Sequence, residues 1–137
     1  MTLAAAAELH FDETTPMEIT KRKFVCPCCG YPELDVPPYE HMGLPPWLEH
    51  GTPPYHERYG VASFDCCSCC GFEFGFDDDP GGSATACSFS EYLTDWIARG
   101  CVWFTPSRKS EMWRLDEQLR RAGIRLNPRA GAASSQL

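Results

Sequence analysis

Two near-identical cysteine-rich hexapeptides constrain this 137-residue chain more than any other feature of its sequence. The first knuckle, residues 26–31, reads CPCCGY, and the second knuckle, residues 67–72, reads CSCCGF. Each contains a C-x-x-C pair followed directly by glycine, which accepts the positive-φ turn that aims backbone amides at a thiolate. Two such pairs supply the four thiolates of a closed tetrahedral structural zinc site. The sequence therefore predicts a Zn²⁺ site whose ligands are Cys26, Cys29, Cys67 and Cys70.

The other five of the nine cysteines are Cys28, Cys66, Cys69, Cys87 and Cys101. Cys28 and Cys69 occupy the middle of each knuckle, where we expect the side chain to point away from the metal. Cys66 with Cys69 is also a C-x-x-C pair, so the register of the second pair stays open. Cys67 with Cys70 is favoured because it alone reproduces the glycine–aromatic ending of the first knuckle. Cys87 and Cys101 flank a predicted helix and are expected to be small buried hydrophobic residues.

A disulfide framework, a redox dithiol and a catalytic zinc site each explain the cysteines less well than structural zinc. The odd count, the clustering and the lack of an export signal favour metal over disulfides. A redox dithiol needs a helix N-terminus to lower its thiol pKa, and neither pair precedes a helical pattern. Catalytic zinc needs an open position, and the nearby His41, His50 and His56 have irregular spacing. Since no nucleophile elbow, P-loop or dinucleotide fingerprint occurs, we predict that the chain is not an enzyme.

Apolar patterning predicts short strands beside the knuckles. Residues 17–25 are rich in β-forming residues and lead into the first knuckle, whereas residues 72–76 (FEFGF) alternate between apolar and other residues. A strand that leaves a C-x-x-C-G knuckle is the zinc-ribbon arrangement. Residues 101–104 and 124–126 read as further extended pieces. We predict an α+β fold: a small antiparallel zinc-ribbon-like sheet with two packed helices.

The two predicted helices follow the second knuckle. Ser88 and Glu91 form a capping-box signature. The apolar face behind it, at helical spacing, comprises Phe89, Tyr92, Leu93, Trp96 and Ile97. A second helix is predicted from Thr105–Pro106 to about residue 122, with inward positions at Met112, Leu115, Leu119 and Ala122.

The chain is predicted to form one domain between two loose ends. The parts are a flexible N-terminal arm over residues 1–16, a single zinc-stapled domain over residues 17–126, and a disordered tail over residues 127–137. No apolar run approaches the roughly 18 residues of a membrane span. The N-terminal residues lack the basic region of a secretory signal. We therefore expect a cytoplasmic protein.

The segment from residue 32 to residue 59 contains seven prolines interleaved with Tyr39, Trp47, Tyr55 and Tyr59. Three Pro-Pro pairs preclude a long helix and favour extended geometry. Long ordered loops are often functional, so this proline-rich loop is a candidate binding surface. The alternative, that its aromatic rings simply pack into the core, has equal weight.

Charge is distributed unevenly along the chain, whose formal net charge is −7. Residues 26–104 carry twelve acidic and two basic side chains, whereas residues 105–137 carry seven basic and three acidic ones. The acidic body disfavours nucleic acid and suits a cationic protein partner. The predicted partner-binding residues are Asp77, Asp78, Asp79, Trp47 and Tyr55. The acidic turn at residues 77–79 is a weak candidate for Ca²⁺ because it lacks EF-hand spacing.

Three segments together resemble the uncharacterised bacterial cysteine-rich CPCC family. They read CPCCGYPEL, CSCCGFEFGFDDD and SFSEYLTDWIARGCVWF, within residues 24–35 and 64–104. The chain departs from the family pattern at Ser68, where the family tends towards proline, and in its extra Cys66. The resemblance implies a small accessory or immunity-type protein of a bacterial toxin locus.

These observations support three hypotheses for the function. The first is a zinc-stabilised protein-binding module, in its sharpest form an immunity or antitoxin-like protein that masks a basic toxin surface. The second is a zinc-ribbon accessory factor of nucleic-acid machinery that uses the basic segment from Arg108 to Arg129. The third is a redox or metal-trafficking protein, which requires labile zinc and readily oxidised Cys28 and Cys69.

Overall fold

The computed structural model describes residues 22–47 and 49–126, which form three α-helices joined by turns and loops. The helices are α1 (His56–Tyr59), α2 (Phe89–Ala98) and α3 (Leu115–Ala122), and a short 3₁₀ helix spans Pro106–Arg108. The predicted arm and tail, and most of the predicted strand over residues 17–25, lie outside the described residues. None of the helices in the described ranges has the length and apolar character needed to cross a membrane.

The predicted antiparallel sheet is wrong, and the fold is not of the α+β class. Between residues 22 and 126, Leu48 apart, the chain forms no β-strand; its strand-like pairing consists of isolated antiparallel bridges at Phe24–Leu34, Tyr39–Ala62 and Cys66–Glu73. The first and third bridges enclose the two knuckles. Phe24 and Leu34 exchange both backbone hydrogen bonds at 2.9 Å. Each knuckle is therefore a tight hairpin whose arms separate after one bridge.

Residues 72–76 show why the alternating pattern does not produce a strand. Phe72 and Phe74 are buried, but Phe76 is half exposed. The backbone N–H of Asp77 donates to the carbonyl of Glu73 at 3.0 Å, which closes a helical turn. The Asp77 carboxylate in turn accepts a hydrogen bond from the N–H of Glu73 at 2.7 Å. These local bonds satisfy backbone groups that a strand would have offered to a neighbour.

Asp78 joins this turn to the proline-rich loop. Its carboxylate is fully buried and accepts hydrogen bonds from the backbone N–H groups of Tyr55, at 2.9 Å, and Gly75, at 2.8 Å. Gly75 has a φ of 101°, and a Cβ there would lie 2.6 Å from the Cβ of Ala62. The contact between loop and turn thus requires both a buried acid and a glycine.

Aromatic rings from the proline-rich loop build the centre of the core. Tyr55 stacks on Phe89 of α2 with a centroid separation of 3.9 Å, and Tyr39 packs edge-on against Phe74 at 5.9 Å. Tyr39, Tyr55 and Tyr59 are buried. Three of the four aromatic rings of this loop therefore pack into the core, which was the alternative to a binding surface in the sequence analysis.

Helix α2 confirms the sequence prediction. The Ser88 hydroxyl accepts from the N–H of Glu91, and the Glu91 carboxylate accepts from the N–H of Ser88, which completes the capping box. The predicted apolar face is the one that packs inward, with Phe89, Leu93 and Trp96 buried.

The second predicted helix is much shorter than expected. It is interrupted after the 3₁₀ turn, and α3 begins only at Leu115. Met112, predicted to face inward, is 84% exposed, whereas Leu119 and Ala122 are buried. The ring of Trp113 packs instead against Trp103 at 5.4 Å, and residues 109–114 are not helical, with a turn at residues 111–112.

We predict that Asp78→Ala lowers the free energy of unfolding by about 2–4 kcal/mol, since it leaves the N–H groups of buried Tyr55 and half-buried Gly75 without an acceptor. Asp79→Ala is the matched control, because Asp79 is exposed, and it should change stability by less than about 0.5 kcal/mol. Urea denaturation of the metal-loaded proteins measures both. Equal stabilities would show that the Asp78 bonds do not hold the loop.

His50 provides a second test of the core. Its ring lies against Phe89, and its Nδ1 pairs with the Tyr59 hydroxyl at 2.7 Å. Burial, together with the positive charge of Arg58, lowers the pKa of His50 from 6.5 to about 4. The folded protein therefore favours the neutral ring, whereas the unfolded chain takes up a proton as the pH falls below about 6.5.

We predict that the protein loses stability in acid because of His50. The contribution of neutral His50 is fully present above pH 6.5 and is lost as the pH falls to about 4. Allowing for partial exposure of the ring, we expect this loss to be roughly 1–2 kcal/mol. Denaturation curves across this range should show a smaller pH dependence for His50→Gln than for the wild type. Identical pH dependence would exclude His50 as the titrating group.

Candidate metal centre

The structure brings four cysteine sulfur atoms together between the two knuckles. The Sγ atoms of Cys26, Cys29, Cys67 and Cys70 all lie within 4.8 Å of one another, and all four residues are buried. Cys26 is 4.0 Å from Cys70, and Cys29 is 3.7 Å from Cys67, measured between sulfur atoms. A tetrahedral site with metal–sulfur bonds of about 2.3 Å separates its sulfurs by roughly 3.8 Å. The cluster has the dimensions to hold one metal ion.

The two knuckles use the same local geometry. In each, the glycine N–H donates to the carbonyl of the first cysteine at 2.8 Å: Gly30 to Cys26, and Gly71 to Cys67. In each, the N–H of the middle cysteine points at the first sulfur, at 3.3 Å. Both glycines have a φ near 85°, a conformation that favours glycine. The repeated sequence thus produces a repeated turn that directs amide donors at the sulfurs.

The electrostatics of the cluster suit a cation. Burial raises the pKa of the Cys29 and Cys70 thiols well above their ordinary range. The pKa of Cys67 lies well below its usual value. Burial acts to raise this pKa, but hydrogen bonds from the neighbouring thiols lower it by more. Burial thus opposes negative charge on these sulfurs, and a cluster of four thiolates needs a positive ion at its centre.

Disulfide bonds do not account for the cluster. All nine cysteines are free, and the shortest sulfur–sulfur distance given above, 3.7 Å between Cys29 and Cys67, is far longer than the roughly 2.05 Å of a disulfide. The second pair in the cluster is Cys67 with Cys70, and Cys66 lies outside it as a half-buried residue. The geometry thus favours one of the two registers that the sequence left open.

The remaining cysteines are not part of the cluster. Cys28 is buried, its Sγ donates to the carbonyl of Phe89 at 3.4 Å, and burial raises its pKa to about 12. Cys69 is also buried, whereas Cys87 and Cys101, expected to be buried, are only half-buried. A thiol with a raised pKa reacts slowly with oxidants, so Cys28 is poorly suited to redox exchange.

Gln118 of α3 is a supporting residue that the sequence analysis did not identify. Its Nε2 donates to the carbonyl of Cys29 at 3.0 Å and lies 3.6 Å from the Sγ of Cys69. Its Oε1 accepts from the indole N–H of Trp113 at 2.9 Å. The signal that could have identified it is helical spacing: position 118 is one turn after Leu115 and one turn before Ala122, and therefore lies on the same inward face. A second contact comes from α2, where the Tyr92 hydroxyl donates to the carbonyl of Cys70 at 3.1 Å.

The structure divides the predicted partner-binding residues between interior and surface. Asp78 and Tyr55 are buried and stabilise the fold through the contacts described above, so they cannot contact a partner in this conformation. Asp79 is exposed, and Asp77 is half-buried. Trp47 is half-buried, with its indole N–H donating to the carbonyl of Gly43 at 3.3 Å. Backbone N–H groups already occupy the Asp77 and Asp78 carboxylates, which disfavours Ca²⁺ at this turn.

Comparison with known proteins gave no relative: no family model, no curated protein and no solved structure matches the chain. The resemblance to the CPCC family therefore stays a prediction.

We predict that Cys70→Ser greatly lowers the amount of bound metal and destabilises the protein, because it removes one of four converging ligands and metal binding is coupled to folding. Cys66→Ser is a matched control, since Cys66 is four residues earlier and outside the cluster. Elemental analysis of purified protein and thermal melting measure the two effects. Metal loss in the Cys66 variant but not in the Cys70 variant would show that the other register binds the ion.

Proposed function

We propose that the protein is a zinc-stabilised protein-binding module that presents an acidic surface to a basic partner. The observation that carries the proposal is the closed, buried cluster of four cysteine sulfurs. Four sulfurs in tetrahedral arrangement are the preferred environment of Zn²⁺ and of iron–sulfur centres. The two C-x-x-C-G knuckles and the size of the cluster, suited to a single ion, favour Zn²⁺.

The zinc in this proposal is structural. Four protein ligands fill a tetrahedral coordination sphere, which leaves no position for water or substrate. The ligands are also buried, with Cys26, Cys29 and Cys67 fully inaccessible. Bound zinc would supply the positive charge that holds the two knuckles together. Consistent with this role, we propose that the protein is not an enzyme.

A basic partner is proposed because the negative charge of the body is largely unpaired. Of the twelve carboxylates in residues 26–104, only Asp35 and Asp95 pair with Lys or Arg among the described residues. Two others, those of Glu40 and Asp79, approach histidines. Four thiolates around one Zn²⁺ would add further negative charge. Such a field speeds association with a cationic surface and disfavours acidic partners.

The finer version of the proposal is an immunity or antitoxin-like role. A small scaffold with an excess of unpaired carboxylates suits the masking of a basic toxin surface, where charge complementarity provides speed and specificity. The resemblance of the knuckle segments to the CPCC family points in the same direction.

A cavity favours one alternative, an accessory factor of nucleic-acid machinery. It has a volume of about 300 Å³ and is lined by Arg108, Arg114, Arg121, Trp103 and Trp113 among other residues. Arginines beside aromatic rings suit the phosphates and bases of single strands. However, Arg114 is paired with Asp116 and Arg121 with Glu117, so only Arg108 of these three lacks a carboxylate partner among the described residues.

Affinity purification of the tagged, metal-loaded protein from its own host, at low and at moderate salt, tests the proposal. We expect one stoichiometric basic protein, released as salt screens the attraction, and toxic when it is expressed alone in the immunity version. Cys70→Ser, which removes a cluster ligand, should recover less of it. Recovery of nucleic acid that Arg108→Glu abolishes would support the alternative, and a partner retained equally at both salt concentrations would contradict electrostatic recognition.

A further inference from the structure

Phe64 has an unusual conformation for a bulky residue. Its φ is 62°, in the left-handed region, and its side chain is 60% exposed. The backbone N–H donates to the carbonyl of Phe74 at 2.9 Å, which holds the residue in place. A left-handed backbone is unfavourable for large side chains, and an exposed ring gains little from the folded state. Neither feature is explained by stability, so both favour a role in contact with another molecule.

The Phe64 ring forms one side of an open cavity of about 400 Å³. Val61, which is 68% exposed, also lines the cavity, as do Ala62, Gly60 and Gly75. A Cβ on Gly75 would lie 2.8 Å from the Cε1 of Phe64, and a Cβ on Gly60 would lie 2.8 Å from the Cδ2 of His41. The lining therefore includes two glycines at which a side chain would collide with neighbouring residues, and the size of the cavity suits one large apolar side chain.

The charged groups at the edge of the cavity are acidic. Glu40 and Asp79 line it, and no Lys or Arg does so among the described residues. His56 is the remaining titratable group of the lining, with its Nε2 at 3.3 Å from the Asp79 carboxylate. An apolar cavity with an acidic edge is complementary to an apolar side chain flanked by lysine or arginine.

We infer that this surface, defined by Val61, Phe64, Glu40 and Asp79 and here named the Phe64 surface, binds a basic segment of a partner protein. The inference rests on the proposed function and deepens it by naming where the partner binds. One apolar side chain of the segment enters the cavity between Val61 and Phe64, and its basic neighbours pair with Glu40 and Asp79. The ring of Phe64 is then buried on both sides, as is typical of an aromatic hot spot.

The test uses a short synthetic peptide in which lysine and leucine alternate, titrated into isotope-labelled, metal-loaded protein at low salt. Amide resonances of Val61, Phe64 and Gly75 should shift, and a peptide with serine in place of leucine should bind more weakly. Phe64→Asn is the informative variant because asparagine tolerates the left-handed conformation. It should bind the lysine–leucine peptide at least about tenfold more weakly, at unchanged or higher melting temperature.

Phe104→Asn is the matched control, since Phe104 is equally exposed at 59% but does not line this cavity. It should bind like the wild type. Equal binding by both variants, or resonance shifts confined to other residues, would overturn the Phe64 surface while leaving a basic partner in place. A wild-type protein that binds neither peptide at low salt would overturn the proposed basic partner as well. If Phe64→Asn melts at a lower temperature than the wild type, the resonance map of the wild type still decides the location.

Discussion

The burial of four sulfur atoms close to one another is the constraint on which the rest of this structure depends. Cysteines in this geometry lose the hydration of their charge and stand near 4 Å from one another, so the folded chain needs a cation to carry them as thiolates. Regular secondary structure contributes little to holding the two knuckles together, because the described chain has three short helices and isolated bridges. A compact aromatic core, together with the metal ion that we propose for the cysteine cluster, therefore takes the place that an extended hydrogen-bonded sheet has in larger domains.

The parts of the fold that the sequence predicted well are those determined by local chemistry. The spacing of the cysteines and the glycines that follow them specify the knuckle turns, whose bonds span four residues. The start of α2 is specified by Ser88 and Glu91, because the side chain of each accepts a hydrogen bond from the backbone N–H of the other. In both cases the interacting groups are close in the sequence, so the pattern contains the information needed.

The parts that the sequence did not predict depend on contacts between distant residues. The FEFGF segment has the alternation of a strand, but a buried Asp78 bonded to Tyr55, 23 residues away, stabilises a turn instead. Helix α3 starts late because Trp113 packs on Trp103 and Trp96. The acidic run at residues 77–79 looked uniform in sequence, yet its three carboxylates range from buried to exposed. Periodicity and charge counts contain no information about such long-range choices.

The bond between Gln118 and Cys29 joins residues 89 positions apart. A ribosome makes the chain from its N-terminus, so all four sulfur ligands leave the exit tunnel before the helix that covers the first knuckle has been completed. The order of residues along the chain thus separates the synthesis of the four clustered cysteines from the closure of the shell around them in time.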